Sequence, residues 1–231
     1  MQSIGNKIEQ LQTLAYKRKF DFILLSEHWI TSYDDIPDID GYHWASTYRR
    51  KCRLRGGAAI LVREHQRNNI TVQNDINRMS EEMVIELSAC LWRDRKLIIL
   101  TLYRPPNGSI PTFLNILERV LDNVINKNKL DIIIGGDFNI DFLLKEDSAT
   151  KRLLNMLSSY KLLITIHEYT RVRLRTKKCI DNIITNLQNV KSRVVDADIS
   201  DHYGQEMSLL WKKPKDNYNL LRGKVMIDAC V

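Results

Sequence analysis

Two short segments hold side chains that can do chemistry together. Residues 131–139 read Asp-Ile-Ile-Ile-Gly-Gly-Asp-Phe-Asn, so an apolar run ends in Asp137 and Asn139, and residues 200–202 add Ser-Asp-His. Carboxylate, amide and imidazole at strand ends are the groups needed to hold a metal ion and hydrolyse a phosphate ester. Glu27, Tyr103, Asp181 and Asp201 share this placement, each at or just beyond an apolar run. A hard cation such as Mg²⁺ wants oxygen ligands, usually one or two carboxylates plus water and substrate phosphate. Glu27 and Asp201 suit that role.

Taken singly, each of these residues has an ordinary structural reading. Glu27 can close a strand, Tyr103 can pack at a rim, and Asp137 after two glycines can belong to a turn. Asn139 can cap the segment that follows it. Asp181 can satisfy backbone donors, and His202 can be a satisfied core or surface histidine. Only the joint pattern favours a site. Other chemistries lack their signatures: neither glycine pair belongs to a G-x-G-x-x-G or G-x-x-x-x-G-K-[ST] loop, and no serine sits in a nucleophile elbow.

The elements that must position these groups can be read from periodicity. Ile4, Ile8, Leu11, Leu14 and Ala15 recur at helical spacing and predict a helix over 3–18. Phe20–Ser26, Ala58–Val62 and Leu130–Gly135 read as buried strands. Residues 83–92 alternate apolar and polar, which predicts a half-buried strand, and the turn 93–96 joins it to Lys96–Tyr103 as a hairpin. Pro105-Pro106 stops that strand. Helices are predicted over 109–127 and 150–160, and further strands over 42–46, 162–167, 179–185, 193–196 and 205–211. Hairpins exclude a purely parallel sheet, and two packed sheets flanked by helices fit best.

A length of 231 residues with 44% hydrophobic content suits one domain over 1–211, with 212–231 as a polar C-terminal tail. No apolar run is long enough to span a bilayer, and the N-terminus lacks the layout of a signal peptide. Cys52, Cys90, Cys179 and Cys230 are scattered, which argues against a zinc site and, with no signal, for reduced and mostly buried thiols in an intracellular protein. The net charge of +7 fits either a polyanionic partner or a generally Lys-rich surface. Two Arg-rich runs, 49–55 beside Trp44 and Tyr48, and 171–178, suit a phosphate backbone with base stacking.

With these residues in view, the chain resembles the endonuclease/exonuclease/phosphatase superfamily, and most of all the apurinic-type endonuclease domain of insect non-LTR (LINE-type) retrotransposons. The resemblance rests on Leu25-Ser-Glu27-His-Trp29, Gly56-Gly57-Ala-Ala-Ile60, Tyr103-Arg104-Pro-Pro106, Gly136-Asp137-Phe-Asn139, Tyr169-Thr170-Arg171, Ile180-Asp181-Asn-Ile183 and Ser200-Asp201-His202, in order across residues 2–211. It implies an α/β fold, a four-layer α-β-β-α sandwich of two mixed β-sheets flanked by helices, and Mg²⁺-dependent DNA nicking, with Mn²⁺ as the alternative cation. By the same resemblance Glu27 would ligate the cation and Asp201 would support it or the water. Asp137 would position and deprotonate the attacking water. Asn139 and Tyr103 would contact the scissile phosphate, and Asp181 would orient His202. Arg104, Thr170, Arg171, Arg53 and Arg55 would face DNA.

The resemblance also implies a departure. Such domains begin with a strand carrying an Asn just before the segment aligned with residues 2–4, so the first strand is expected to be missing and the chain to be a truncated element copy or an incomplete gene model. A reverse-transcriptase domain is expected in a full-length element. No protein partner is implied, and action on chromosomal DNA would place the protein in the nucleus. Two other readings stand beside the nuclease: an impaired remnant that only binds nucleic acid, and a small-phosphoester phosphatase of the same superfamily.

Overall fold

The computed structural model describes residues 4, 7–51, 55–174, 176–196, 202–211 and 221–229. Its strands are β1 (Phe22–Ser26), β2 (Tyr42–Tyr48), β3 (Ala58–Arg63), β4 (Ile70–Val72), β5 (Glu86–Trp92), β6 (Leu97–Tyr103), β7 (Asp131–Asp137), β8 (Leu163–Ile164), β9 (Arg171–Arg173), β10 (Thr176–Lys178), β11 (Asp181–Thr185), β12 (Val190–Val195), β13 (Gly204–Trp211) and β14 (Leu221–Ala229). The helices are α1 (Ile8–Arg18), a single turn α2 (Asn74–Asn77), α3 (Ile110–Leu121) and α4 (Ser148–Ser159). One six-stranded sheet runs β12-β13-β14-β1-β3-β2, a second runs β4-β5-β6-β7-β11-β8, and β9-β10 is a separate hairpin.

The two sheets pack face to face because their strands alternate between two cores. Phe22 and Leu24 of β1 enter the large core with Ile60, Val62 and the inner residues of the second sheet. Ile23 and Leu25 point the other way, onto Leu11 and Ala15 of α1. On the far side α3 and α4 cover the second sheet with Phe113, Leu117, Val120, Leu153 and Leu157. The result is the expected four-layer α-β-β-α sandwich. Local signals set the helix ends: the Ser109 hydroxyl accepts from Thr112 N–H to start α3, and Asp147 accepts from Ala149 and Thr150 N–H to start α4. Among the described residues, no helix is long and apolar enough to cross a membrane.

Two expectations are corrected. The strand over 83–92 starts only at Glu86, since Met83 has φ +69°, and it is buried on both faces. Its polar residues point into the gap between the sheets, where Ser88 Oγ donates to Ser46 Oγ at 2.6 Å and Glu86 meets Arg50. Period-two polarity therefore marked an internal polar seam rather than a wet face.

The second correction concerns the C-terminal stretch, expected as a loose polar tail. Residues 221–229 form β14, which pairs parallel with β1 and antiparallel with β13. The pairing of this strand bears on the edge that an absent first strand would expose. A strand missing beside β1 would leave backbone donors open, yet β1 is paired on both sides, by β3 and by β14. Residues 212–220 lie outside the described residues. Cys90 and Cys179 are free, buried thiols, as expected, while Cys52 and Cys230 lie outside the described residues.

Candidate active site

Strand register builds the site. Glu86 pairs with Tyr103 across β5–β6, Tyr103 with Asp137 across β6–β7, and Asp137 with Asp181 across β7–β11. One row crossing four strands thus carries three of the expected residues at neighbouring positions. Side chains in register share a face of the pleat. The close approach that makes the row compact depends on Gly136, which has φ +150° and where a Cβ would lie 1.9 Å from the Leu102 carbonyl oxygen.

His202 joins the row from the other sheet. Its Nδ1 lies 2.9 Å from Asp181 Oδ2, and both side chains are almost wholly shut off from water. Asp137, Asp181 and His202 offer donor atoms that all lie within 4.8 Å of one another. Burial pulls the imidazole pKa down, but the charge and hydrogen bond of Asp181, aided by Asp137, outweigh it and raise the value to about 9. The ring is therefore cationic at neutral pH. Asp137 is raised as well: burial, then Asp181 and Glu27, push its pKa well above the usual carboxylate range, with His202 opposing. The physical content is crowding of negative charge in a dry site.

Glu27 stands at the end of β1 in the left-handed region, φ +56°. Two carbonyls hold this kink: Gly57 O accepts Glu27 N–H at 2.8 Å and Gly56 O accepts Trp29 N–H at 2.9 Å. Beneath it lies a buried His28, whose Nδ1 accepts from Ile30 N–H. Burial lowers its pKa to about 4, so it is neutral. Tyr103 donates its hydroxyl to Glu27 Oε1 at 2.7 Å, and burial, then the Glu27 charge, push the phenol pKa up. The hydroxyl thus remains a donor.

Several expected residues take other places. Asn139 places both amide hydrogens inside the protein, on Asp137 Oδ2 at 3.0 Å and Arg104 O at 2.9 Å, so in this structure they brace the Asp137 carboxylate. Arg104, expected at the DNA surface, is buried: its guanidinium donates to the carbonyls of Phe138, Gly108 and Asn139 at 2.6–2.9 Å and clamps the loop bearing Asp137 and Asn139. Thr170, expected to line the cleft, is also buried, and its hydroxyl accepts from the amides of Ile180 and Asp181 at 3.1 Å each. Arg50, counted in a basic DNA-facing run, pairs internally with Glu86.

Arg171 does lie beside the site, its backbone bridging His202. It opens the β9–β10 hairpin, with Arg173, Lys177 and Lys178 exposed and Leu174 bare at the tip. Lys177 lies over the ring of Tyr169 at 5.7 Å. On the Glu27 side, exposed Arg55 lies over Trp29 at 5.3 Å. Asp201 and Arg53 lie outside the described residues. Sequence reading missed Glu86, Arg50 and His28. Their one legible signal was an acid standing among apolar neighbours in a strand.

Comparison with known proteins agrees with this geometry. Residues 97–205, which contain Tyr103, Asp137, Asp181 and His202, match the model of a family described as endonuclease-reverse transcriptase. That match spans a little under half of the chain, and the solved structures similar to it show its fold. Among solved structures of this fold, the endonuclease domain of TRAS1, a telomere-specific non-LTR retrotransposon, superposes with TM-score 0.60 at 18% identity, covering 87% of this chain and 90% of that one. The 3′-5′ exonuclease NExo of Neisseria meningitidis gives 0.64 at 17%, covering 87% and 94%. An AP endonuclease from Archaeoglobus fulgidus gives 0.61 at 13%, covering 87% and 92%. Comparison with curated protein sequences gives no match.

Proposed function

We propose that the chain is a Mg²⁺-dependent endonuclease that nicks DNA, of the type carried by non-LTR retrotransposons. The observation that carries the reading is the row Tyr103–Asp137–Asp181 closed by a cationic His202 and faced by Glu27. The donor set fits a hard cation. It is rich in carboxylate oxygens, and the mutual repulsion that raises Asp137 is what a divalent charge would relieve. Glu27, with Asp201 as inferred from sequence, would hold the cation, which when bound would neutralise charge on the phosphate.

The chain's own residues perform the remaining tasks. Asp137 combines a raised proton affinity with two fixing hydrogen bonds from Asn139, to Oδ1 at 2.8 Å and Oδ2 at 3.0 Å. That suits a base taking a proton from water. The His202 imidazolium, held by Asp181, supplies positive charge where negative charge develops on phosphate. Tyr103 holds Glu27 with a hydroxyl that stays protonated. The Arg171–Lys178 hairpin and Arg55 over Trp29 offer cations and aromatic faces for a polyanionic strand, which supports DNA over a small phosphoester.

A plasmid-nicking assay tests this. Wild type with Mg²⁺ converts supercoiled to open-circular DNA, and Asp137→Ala and His202→Ala do not. Folded wild type that binds DNA without nicking it would identify a binding remnant instead. Release of phosphate from small phosphoesters without nicking would identify a phosphatase.

A further inference from the structure

Glu86 and Arg50 have no part in the chemistry described so far, yet they form a buried ion pair beside it. Arg50 Nε donates to Glu86 Oε1 at 2.6 Å, and Nη2 reaches the same oxygen. The other carboxylate oxygen, Oε2, accepts the N–H of Gly57. A buried ion pair is weak evidence for stability, since desolvating both charges offsets their attraction. Its position invites another explanation.

Each oxygen of Glu86 leads by a different path to the same side chain. On one path the Arg50 guanidinium lies 5.9 Å from the centroid of the Tyr103 ring, and the Tyr103 hydroxyl donates to Glu27 Oε1 at 2.7 Å. On the other, Glu86 holds Gly57 N–H while Gly57 O holds Glu27 N–H at 2.8 Å. Arg50 also fills the space over Gly56, where a Cβ would meet its Cζ at 2.4 Å, and Gly56 O holds Trp29 N–H at 2.9 Å. Side chain and backbone of Glu27 are thus gripped from one buried acid. Glu86 and Tyr103 are also register partners on β5 and β6.

We propose that Glu86 and Arg50 form a positioning pair that fixes the Glu27 carboxylate, through the Tyr103 ring on one side and the Gly56-Gly57 backbone on the other. The inference rests on the reading of Glu27 as the cation ligand. The pair sets how well Glu27 meets a divalent cation without itself touching cation or DNA. Partners one shell behind a metal ligand commonly govern affinity by 10–100-fold.

The test compares Arg50→Met and Glu86→Gln with wild type by Mg²⁺ titration calorimetry and by nicking kinetics. Leu157→Ala, a core truncation under α4, controls for lost stability. Both site variants are expected to bind Mg²⁺ at least about tenfold more weakly, with kcat reduced and KM for DNA unchanged. Leu157→Ala lowers Tm and leaves Mg²⁺ affinity as in wild type. If Arg50→Met does not fold, Arg50→Lys serves in its place: it keeps the charge but loses the planar face and fork, and a several-fold loss of affinity is expected.

Folded site variants that bind Mg²⁺ within about twofold of wild type, whatever their Tm, overturn the proposal and leave the pair a structural one. Wild type that binds no Mg²⁺ overturns the role given to Glu27, and this inference with it. Calorimetry on wild type separates those two failures.

Discussion

The imidazole of His202 and the carboxylate of Asp181 meet at 2.9 Å with almost no exposure to water, one reaching in from the first sheet's side and the other fixed at the start of β11. The contact keeps a buried histidine charged. His28, equally buried but without a carboxylate, is neutral. The two histidines therefore couple folding to pH with opposite signs.

His202 has its folded pKa raised to about 9, so its stabilisation is complete below the unfolded value near 6.5 and is lost as pH rises through 9. His28 has its folded pKa lowered to about 4, so between 6.5 and 4 the unfolded chain takes up a proton that the folded chain refuses, and stability falls as pH falls. Each shift corresponds to on the order of 3 kcal/mol at most. Thermal melts in EDTA from pH 4 to 9.5 should show His202→Asn flattening the alkaline limb and His28→Asn the acid limb, each relative to wild type. The comparison must be relative because Asp137, with its raised pKa, opposes His28 in acid. Variant profiles parallel to wild type would refute the assignment.

Arg104→Met should damage the fold more than the DNA contact. It strands three carbonyls that the guanidinium now satisfies, which costs about 2–4 kcal/mol and lowers Tm by roughly 5–10 °C for a chain of this size. DNA affinity measured well below Tm should stay within about twofold of wild type. A large loss of affinity with unchanged Tm would put Arg104 at the DNA surface after all.

Thr170→Val removes the acceptor for two buried amides, one of them on Asp181. Loss of about 1–3 kcal/mol is expected, with a drop in nicking rate and an unchanged DNA Kd. Thr170→Ser restores both by returning the hydroxyl. If Ser is as defective as Val, the methyl packing matters and the hydroxyl does not.

The hairpin should behave as a phosphate-binding prong. Arg173→Ala and Lys177→Ala, both exposed, should each weaken binding across DNA sequences alike and reduce the slope of log K against log salt by about one. Mg²⁺ affinity should not change. Salt slopes equal to wild type in both variants would remove the hairpin from the interface.

How far the structure could be read from sequence depends on where each element's partner lies. β1 and β7 were legible because both faces are buried, so the apolar run is continuous and ends sharply at Glu27 and just after Gly136. The row Tyr103–Asp137–Asp181 was legible as residues but not as a row, since register across β6, β7 and β11 is a property of paired strands. Arg50 and Arg104 were misread because a cation in a basic or loop segment looks solvated. Only the three carbonyls around Arg104, and Glu86 beside Arg50, reveal a buried role. β14 was missed because its mixed composition resembles a tail, and its partners lie far upstream.

That last strand has a consequence for how the molecule is made. Phe22 and Val225 are register partners, roughly 200 residues apart, among the costliest contacts to close by loop entropy. During synthesis the strand bearing Glu27 leaves the ribosome early, yet one of its edges stays unmatched until segment 221–229 arrives. The second sheet, whose neighbours β5, β6 and β7 follow one another along the chain, can assemble first. The site is therefore completed by a late closure, and nascent chains halted before residue 221 would carry Asp137 and His202 beside a first sheet whose inner strand still lacks a partner.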